Sequence, residues 1–244
     1  MGKRIRQAKL YILATALLLL VEQPLLWDLY RPAAAPAGAS LPAGPFVALT
    51  FDDGPKAETT SRLLDGLAQR GVRCTFFVLG LQVEGNEDLL RRMASEGHQI
   101  GMHTAHHKVL AGLGPADFSA EVDQLRLTLT ALLGPEDYML RPPYGMISHA
   151  VETQAAAPLI LWSVDPEDWS DHDAARIAAH IADKARDGDI ILLHDIYDAS
   201  VDAALEAVDA LMAKGCTFVT VEELFALRGV TPENGKVYRK LPPK

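Results

Sequence analysis

Five short runs of polar residues have the types and spacing to do chemistry. At 50–55 the chain reads Thr-Phe-Asp-Asp-Gly-Pro, with Asp52 and Asp53 adjacent at the end of an apolar segment. Successive side chains leave a strand in opposite directions, so one carboxylate can bind a metal while the other accepts a proton. The plainer reading is an acidic turn that caps the next helix. His103 and His107 stand four apart in His-Thr-Ala-His-His. On one helical turn both imidazoles would face the same way, a common metal-ligand spacing. Two neutral imidazoles and one carboxylate suit catalytic zinc, with positions left for water and substrate, and they equally suit non-haem iron. His106, between them, is expected to point elsewhere. Arg141-Pro142-Pro143-Tyr144-Gly145 is a stiff loop flanked by an Arg and a Tyr, and Asp165-Pro166-Glu167-Asp168-Trp169 adds acids beside an aromatic. The apolar run 190–193 closes on His194. An imidazole at the rim of a core can have its pKa tuned for acid or base work.

These runs need strand ends to bring them together. Short apolar stretches at 46–51, 74–79, 99–102, 138–141, 159–164, 190–194 and 217–221 alternate with amphipathic segments around 60–70, 86–96, 116–133, 172–187, 200–214 and 222–228. Phe118, Val122, Leu125, Leu129 and Leu132 mark one helical face by their spacing of three to four. Asp171 and Asp198 are expected to start the helices that follow them. Strand–helix alternation with apolar strands predicts an α/β fold with a mainly parallel sheet. Pattern alone permits a (β/α) barrel or an open doubly wound sheet, and both place catalytic groups at the C-terminal ends of strands.

At 244 residues there is room for one substantial domain and a short appendage. A net charge of −9 argues against a nucleic-acid partner, whose phosphates are neutralised by Lys and Arg. Lys3, Arg4, Arg6 and Lys9 precede an apolar run from Leu10 to Val21, the layout of an export signal. Residues 1–30 are therefore expected to be a signal peptide, cleaved or retained as a membrane anchor, and the Pro/Ala-rich stretch 31–45 a linker. The two cysteines, Cys74 and Cys216, read as free thiols or as one bridge.

The ordered series TFDDGP (50–55), HTAHH (103–107), RPPYG (141–145), DPEDW (165–169) and LLH (192–194) resembles the five motifs of the polysaccharide deacetylases, the NodB-like domain of carbohydrate esterase family four. The match spans 46–228 and leaves 229–244 as a C-terminal tail. The resemblance implies a distorted (β/α) barrel of about seven parallel strands. It also implies a divalent metal held by Asp53, His103 and His107, usually Zn2+, with Co2+ or Fe2+ as other candidates. By the same match Asp52 is the general base and Arg141 holds it. The backbone N–H of Tyr144 stabilises the oxyanion, and His194 is the general acid, oriented by Asp165. Trp169, Leu192 and Pro143 would line the substrate site. The expected protein is an exported monomeric enzyme that removes acetyl groups from an N-acetylated glycan. The alternatives are a related C–N hydrolase acting on a non-carbohydrate amide, and a carbohydrate-binding module that kept the metal for structure. A binding module has no use for Asp52, Arg141 and His194.

Overall fold

The computed structural model describes residues 44–242. The expected export segment and all but the end of the linker lie outside these residues. Among the described residues, no helix is long and apolar enough to cross a membrane.

Strand β1 (Phe46–Asp52) is buried along nearly its whole length and pairs in parallel with β2 (Thr75–Val78) and β5 (Ile190–His194); β3 (Gln99–Met102) pairs in parallel with β2. Single parallel bridges then join Met102 to Leu140, Leu140 to Leu159, and Val164 to Ile191. The pairings thus pass from β1 through β2, β3, residue 140, the 159–164 segment and β5, and return to β1. That order is consistent with a distorted barrel. Two short pairings complete it: β4 (Leu159–Ile160) pairs with β7 (Val237–Tyr238), and β6 (Thr217–Phe218) pairs with the start of β1.

Three expected strands shrink to two residues or fewer, each for a local reason. The 138–141 segment bridges its two neighbours at Leu140 alone, because Pro142 and Pro143 supply no N–H to extend the ladder. The 159–164 segment changes partner, donating from Leu161 N to Tyr238 O and from Ser163 N to Ile190 O, so neither ladder grows long. Beyond β6, Thr220 instead caps α7 (Val221–Arg228) through a capping box with Glu223.

Strand residues separate by parity. Val47, Leu49, Phe51, Phe76, Val78, Met102, Ile191 and Leu193 pack in the larger core with the helices. Ala48, Phe77, Met139, Ile160 and Ile190 form a second cluster with Leu224 and Phe225 of α7 and with Tyr238 and Leu241. The inner phase therefore includes Thr50 and Asp52 on β1, and Leu192 and His194 on β5. The stretch after 228, expected to be a tail, contributes buried Tyr238 and Leu241 to this inner cluster.

Helices α1 (Ala57–Arg70), α2 (Glu87–Ser95), α3 (Pro115–Leu133), α4 (His149–Gln154), α5 (Ala174–Lys184) and α6 (Asp198–Ala213) link the strands. Buried residues of α3 include Phe118, Val122, Leu125 and Leu129, as the periodicity predicts, with Leu133 rather than Leu132 completing the stripe. Asp173, not Asp171, caps α5, its side chain accepting from Arg176 N; Asp171 instead accepts from Asp173 N and pairs with Arg176. Both cysteines are free thiols.

Candidate active site

The β1–β5 register sets Asp52 directly beside His194, at the end of the inner phase of each strand. Asp52 is 2% exposed and meets a fully buried arginine: Arg141 Nη1 donates to Asp52 Oδ1 at 2.6 Å and to Thr50 Oγ1 at 2.8 Å. The rest of the guanidinium is also occupied, with Nε donating to Ile160 O and Nη2 to Leu161 O, and its carbon lies 4.1 Å from the Phe77 ring centroid. Burial presses against the Arg141 charge, and the Asp52 carboxylate beside it opposes that pressure. Gly101 makes room for this stack, since a Cβ there would stand 2.6 Å from the Phe77 ring.

Asp53 lies one residue past β1 with φ 72°, and both carboxylates approach His103 Nε2, Asp52 through its Oδ2 at 3.7 Å. Its Oδ1 is buried and accepts no hydrogen bond, yet lies 3.6 Å from His103 Nε2 and 3.4 Å from His107 Nε2. One ligand atom from each of the three residues fits within 4.8 Å of the others. Nδ1 of His103 lies 2.7 Å from Arg141 O, to which it can only donate, so Nε2 keeps its lone pair facing Asp53. Burial lowers the His103 pKa, which favours the neutral, ligating form. An orphaned carboxylate oxygen facing two imidazoles of fixed orientation fits a divalent cation.

The two histidines do not share a helical turn. Residues 103–107 form a loop in which Thr104 (φ 73°) and His107 (φ 57°) are left-handed, and the ring centroids of His103 and His107 lie 4.9 Å apart. Asp53, Thr104, His107, Tyr144 and Glu167 are the non-glycine residues with positive φ among the described residues, and all five fall in the strand-end loops around this site. Such conformations persist where surrounding structure over-determines them, as at binding sites. Tyr144 packs its ring 4.7 Å from that of His107, and its backbone N–H has no acceptor among the described residues.

The partner of His194 differs from the expected one. Asp165 accepts from Trp162 Nε1 and from Glu167 N, and does not orient the imidazole. Asp168 does: it is fully buried, its Oδ1 lies 2.9 Å from His194 Nδ1, and its Oδ2 accepts from His194 N and Ser200 Oγ. Both acids lie in the same DPEDW run, and sequence spacing could not say which one turns inward. Burial opposes the imidazolium, but Asp168 foremost, with Asp52 and Asp53, raises the His194 pKa to about 9. Of the residues expected to line the substrate site, Trp169 is 56% exposed, whereas Pro143 and Leu192 are buried.

The sequence model of the polysaccharide deacetylase family matches residues 41–159. The chain is 38% identical over 178 residues to the peptidoglycan-N-acetylmuramic acid deacetylase PdaC of Bacillus subtilis (strain 168), covering 73% of this chain and 38% of that protein. The chain thus spans well under half the length of that relative. Among solved structures it is similar to the T48 deacetylase with substrate, with a TM-score of 0.76 and 41% identity over 80% of this chain and 96% of the other. It is also similar to a family 4 acetyl xylan esterase from Clostridium thermocellum in complex with a cobalt ion, with a TM-score of 0.77 and 31% identity over 81% of this chain and 99% of that one.

Proposed function

Because the chain belongs to the polysaccharide deacetylase family, we propose that it is a metal-dependent hydrolase that removes acetyl groups from an N-acetylated glycan of the cell envelope. One observation carries this reading. The Asp53–His103–His107 cluster is flanked by two separately held groups, a carboxylate on a buried arginine and an imidazole on a buried aspartate.

Amide hydrolysis needs an activated water, stabilisation of the developing oxyanion, and an acid for a poor leaving group. Asp53, His103 and His107 would hold the cation. The chemistry a bound Zn2+ or similar ion supplies is Lewis acidity, which polarises the acetyl carbonyl and lowers the pKa of water. Asp52 accepts the proton of the attacking water, its carboxylate aimed by the hydrogen bond from Arg141. The free Tyr144 N–H donates to the acetyl oxygen as negative charge grows there. His194, charged near neutral pH, gives its proton to the departing nitrogen while Asp168 holds the ring. The products are acetate and a free amine on the sugar. Asp52 and His194, side by side in register, divide the base and acid work.

Residues 1–30 would direct export, which suits a substrate in the envelope, and 31–45 would tether the 46–228 domain. Exposed Trp169 and Tyr144 offer flat faces to a sugar ring.

The test is acetate release by the full chain from peptidoglycan, chitin oligomers and acetylated xylan, with and without a chelator. Release from an N-acetylated glycan that a chelator abolishes is the expected result. Release from xylan alone would make the protein an O-deacetylase. No release from any glycan, or release indifferent to chelator, sinks the proposal.

A further inference from the structure

The core-facing side of α3 carries one carboxylate. Glu121 lies three residues after Phe118 and four before Leu125, inside the apolar stripe, and is 1% exposed. Burying an ionised carboxylate is unfavourable unless donors replace its water. Its donors come from one place. His106 N–H donates to Oε2 at 2.8 Å, His106 Nδ1 lies 3.0 Å from Oε1, and Lys108 Nζ lies 2.8 Å from Oε1. The backbone oxygen of Glu121 joins in, accepting from Ala105 N at 2.8 Å. All of these donors sit between His103 and His107 or one residue beyond.

The clamped segment is the one with unusual backbone. Thr104 and His107 are both left-handed, and His107 makes no backbone hydrogen bond among the described residues. The far side of the loop is fixed by Gly80 N and Leu81 N, which donate to Thr104 O and Ala105 O. That zipper stops at Ala105. From there to His107, the Glu121 side chain is the anchor.

We propose that Glu121 is a positioning residue that holds the 103–107 loop in its metal-binding shape, so that α3 sets the affinity of a site it does not touch. This rests on the reading of Asp53, His103 and His107 as the metal ligands. His107 is where the effect enters, because its imidazole reaches Asp53 only if the backbone at 106 is held.

The experiment titrates metal-free full-length protein with Co2+, following the visible absorption of the bound ion and competition with a chelating dye. Wild type is compared with Glu121→Ala, Glu121→Gln and His103→Ala, and thermal unfolding of each metal-free protein is recorded alongside. Loss of an outer-shell partner typically costs about 10- to 100-fold in metal affinity, and that is the expected loss for Glu121→Ala. Glu121→Gln, which keeps the bulk but serves fewer donors, should lose less and show a shifted Co2+ spectrum. Wild-type Co2+ affinity and spectrum in Glu121→Ala, even with a lower melting temperature, would make Glu121 a purely structural residue and overturn the proposal. If Glu121→Ala does not fold, Glu121→Gln decides on the same criteria. A wild type that binds Co2+ no better than His103→Ala would instead overturn the ligand assignment.

Discussion

Asp52 and Asp53 are chemically identical, adjacent, and separated by what lies around them. Asp52 ends an extended strand against Arg141, while Asp53 has turned into left-handed backbone toward two imidazoles. Asp52→Asn is therefore expected to lower turnover by about 100- to 10,000-fold, the usual range for a lost general base, with metal content near wild type. Metal analysis of the purified variant beside its kcat checks this; an empty site would mean that Asp52 is a ligand. His194 supplies a second test. Its raised pKa keeps it charged through neutral pH, so kcat/KM should fall on the alkaline side, at or below about pH 9. A cation held by Asp53 offsets the pull of the Asp52–Asp53 pair but leaves the contact with Asp168 intact. Asp168→Asn should therefore move the alkaline limb to lower pH, whereas Asp165→Asn should leave it in place. A profile that responds to Asp165 instead would make Asp165, not Asp168, the partner of the imidazole.

Elements bring these residues together through register and through strands that end early. The one-to-one pairing of β1 with β5 sets Asp52 against His194, and sliding it by one residue would turn either side chain out of the inner phase. The C-terminal segment matters at this scale too. β7 pairs with β4, Tyr238 packs edge-on to Phe225 with centroids 4.7 Å apart, and Leu241 N donates to Gly188 O. Gly188 has φ 82°, and a Cβ there would stand 1.9 Å from Leu241 O, so only glycine allows this contact. Tyr238→Ala is expected to cost about 3 kcal/mol, the scale of emptying a buried aromatic site, and Gly188→Ala should also destabilise by displacing the segment. Chemical denaturation of both variants gives the values. Wild-type stability in either would mean that 229–242 is the tail its sequence suggests.

One source of pH-dependent stability lies far from the chemistry and is buried. His98 is buried beside Cys74, whose backbone N–H donates to His98 Nδ1. Burial first, then the charges of Arg73 and Arg92, lowers its pKa from 6.5 to about 4. Between those values the unfolded chain takes up a proton that the folded one refuses, so this contribution is present above pH 6.5 and is lost as pH falls toward 4. A difference of that size corresponds to roughly 3 kcal/mol. The stability gap between wild type and His98→Gln should therefore narrow as pH falls from 6.5 to 4. A gap that is constant with pH would mean that His98 titrates alike in the folded and unfolded chains. Asp195, its pKa raised to about 7 chiefly by burial, acts in the opposite sense over the same range, which is why the comparison must be with the variant.

Much of this was legible in the chain itself. Apolar runs buried on both faces mark parallel strands whatever their partners, and β1, β3 and β5 fall within a residue of their expected limits. Polar runs at strand ends marked out the candidate site because an Asp pair, a His pair, an Arg and a His all fall at the ends of buried segments. What the chain could not disclose depends on direction in space. Asp165 and Asp168 flank the same turn, and only the folded loop sends Asp168 under His194. The spacing of His103 and His107 suits a helix, yet the loop gets the same convergence from two left-handed residues and an anchor on α3. Glu121 had a signal, a charge inside an apolar stripe, but the donors that make its burial tolerable come from residues 105–108 and meet it only in the fold. Local composition determined which residues lie buried and which groups gather at strand ends. Tertiary structure decided which group faces which, because a hydrogen bond depends on ångströms and angles that sequence spacing does not carry.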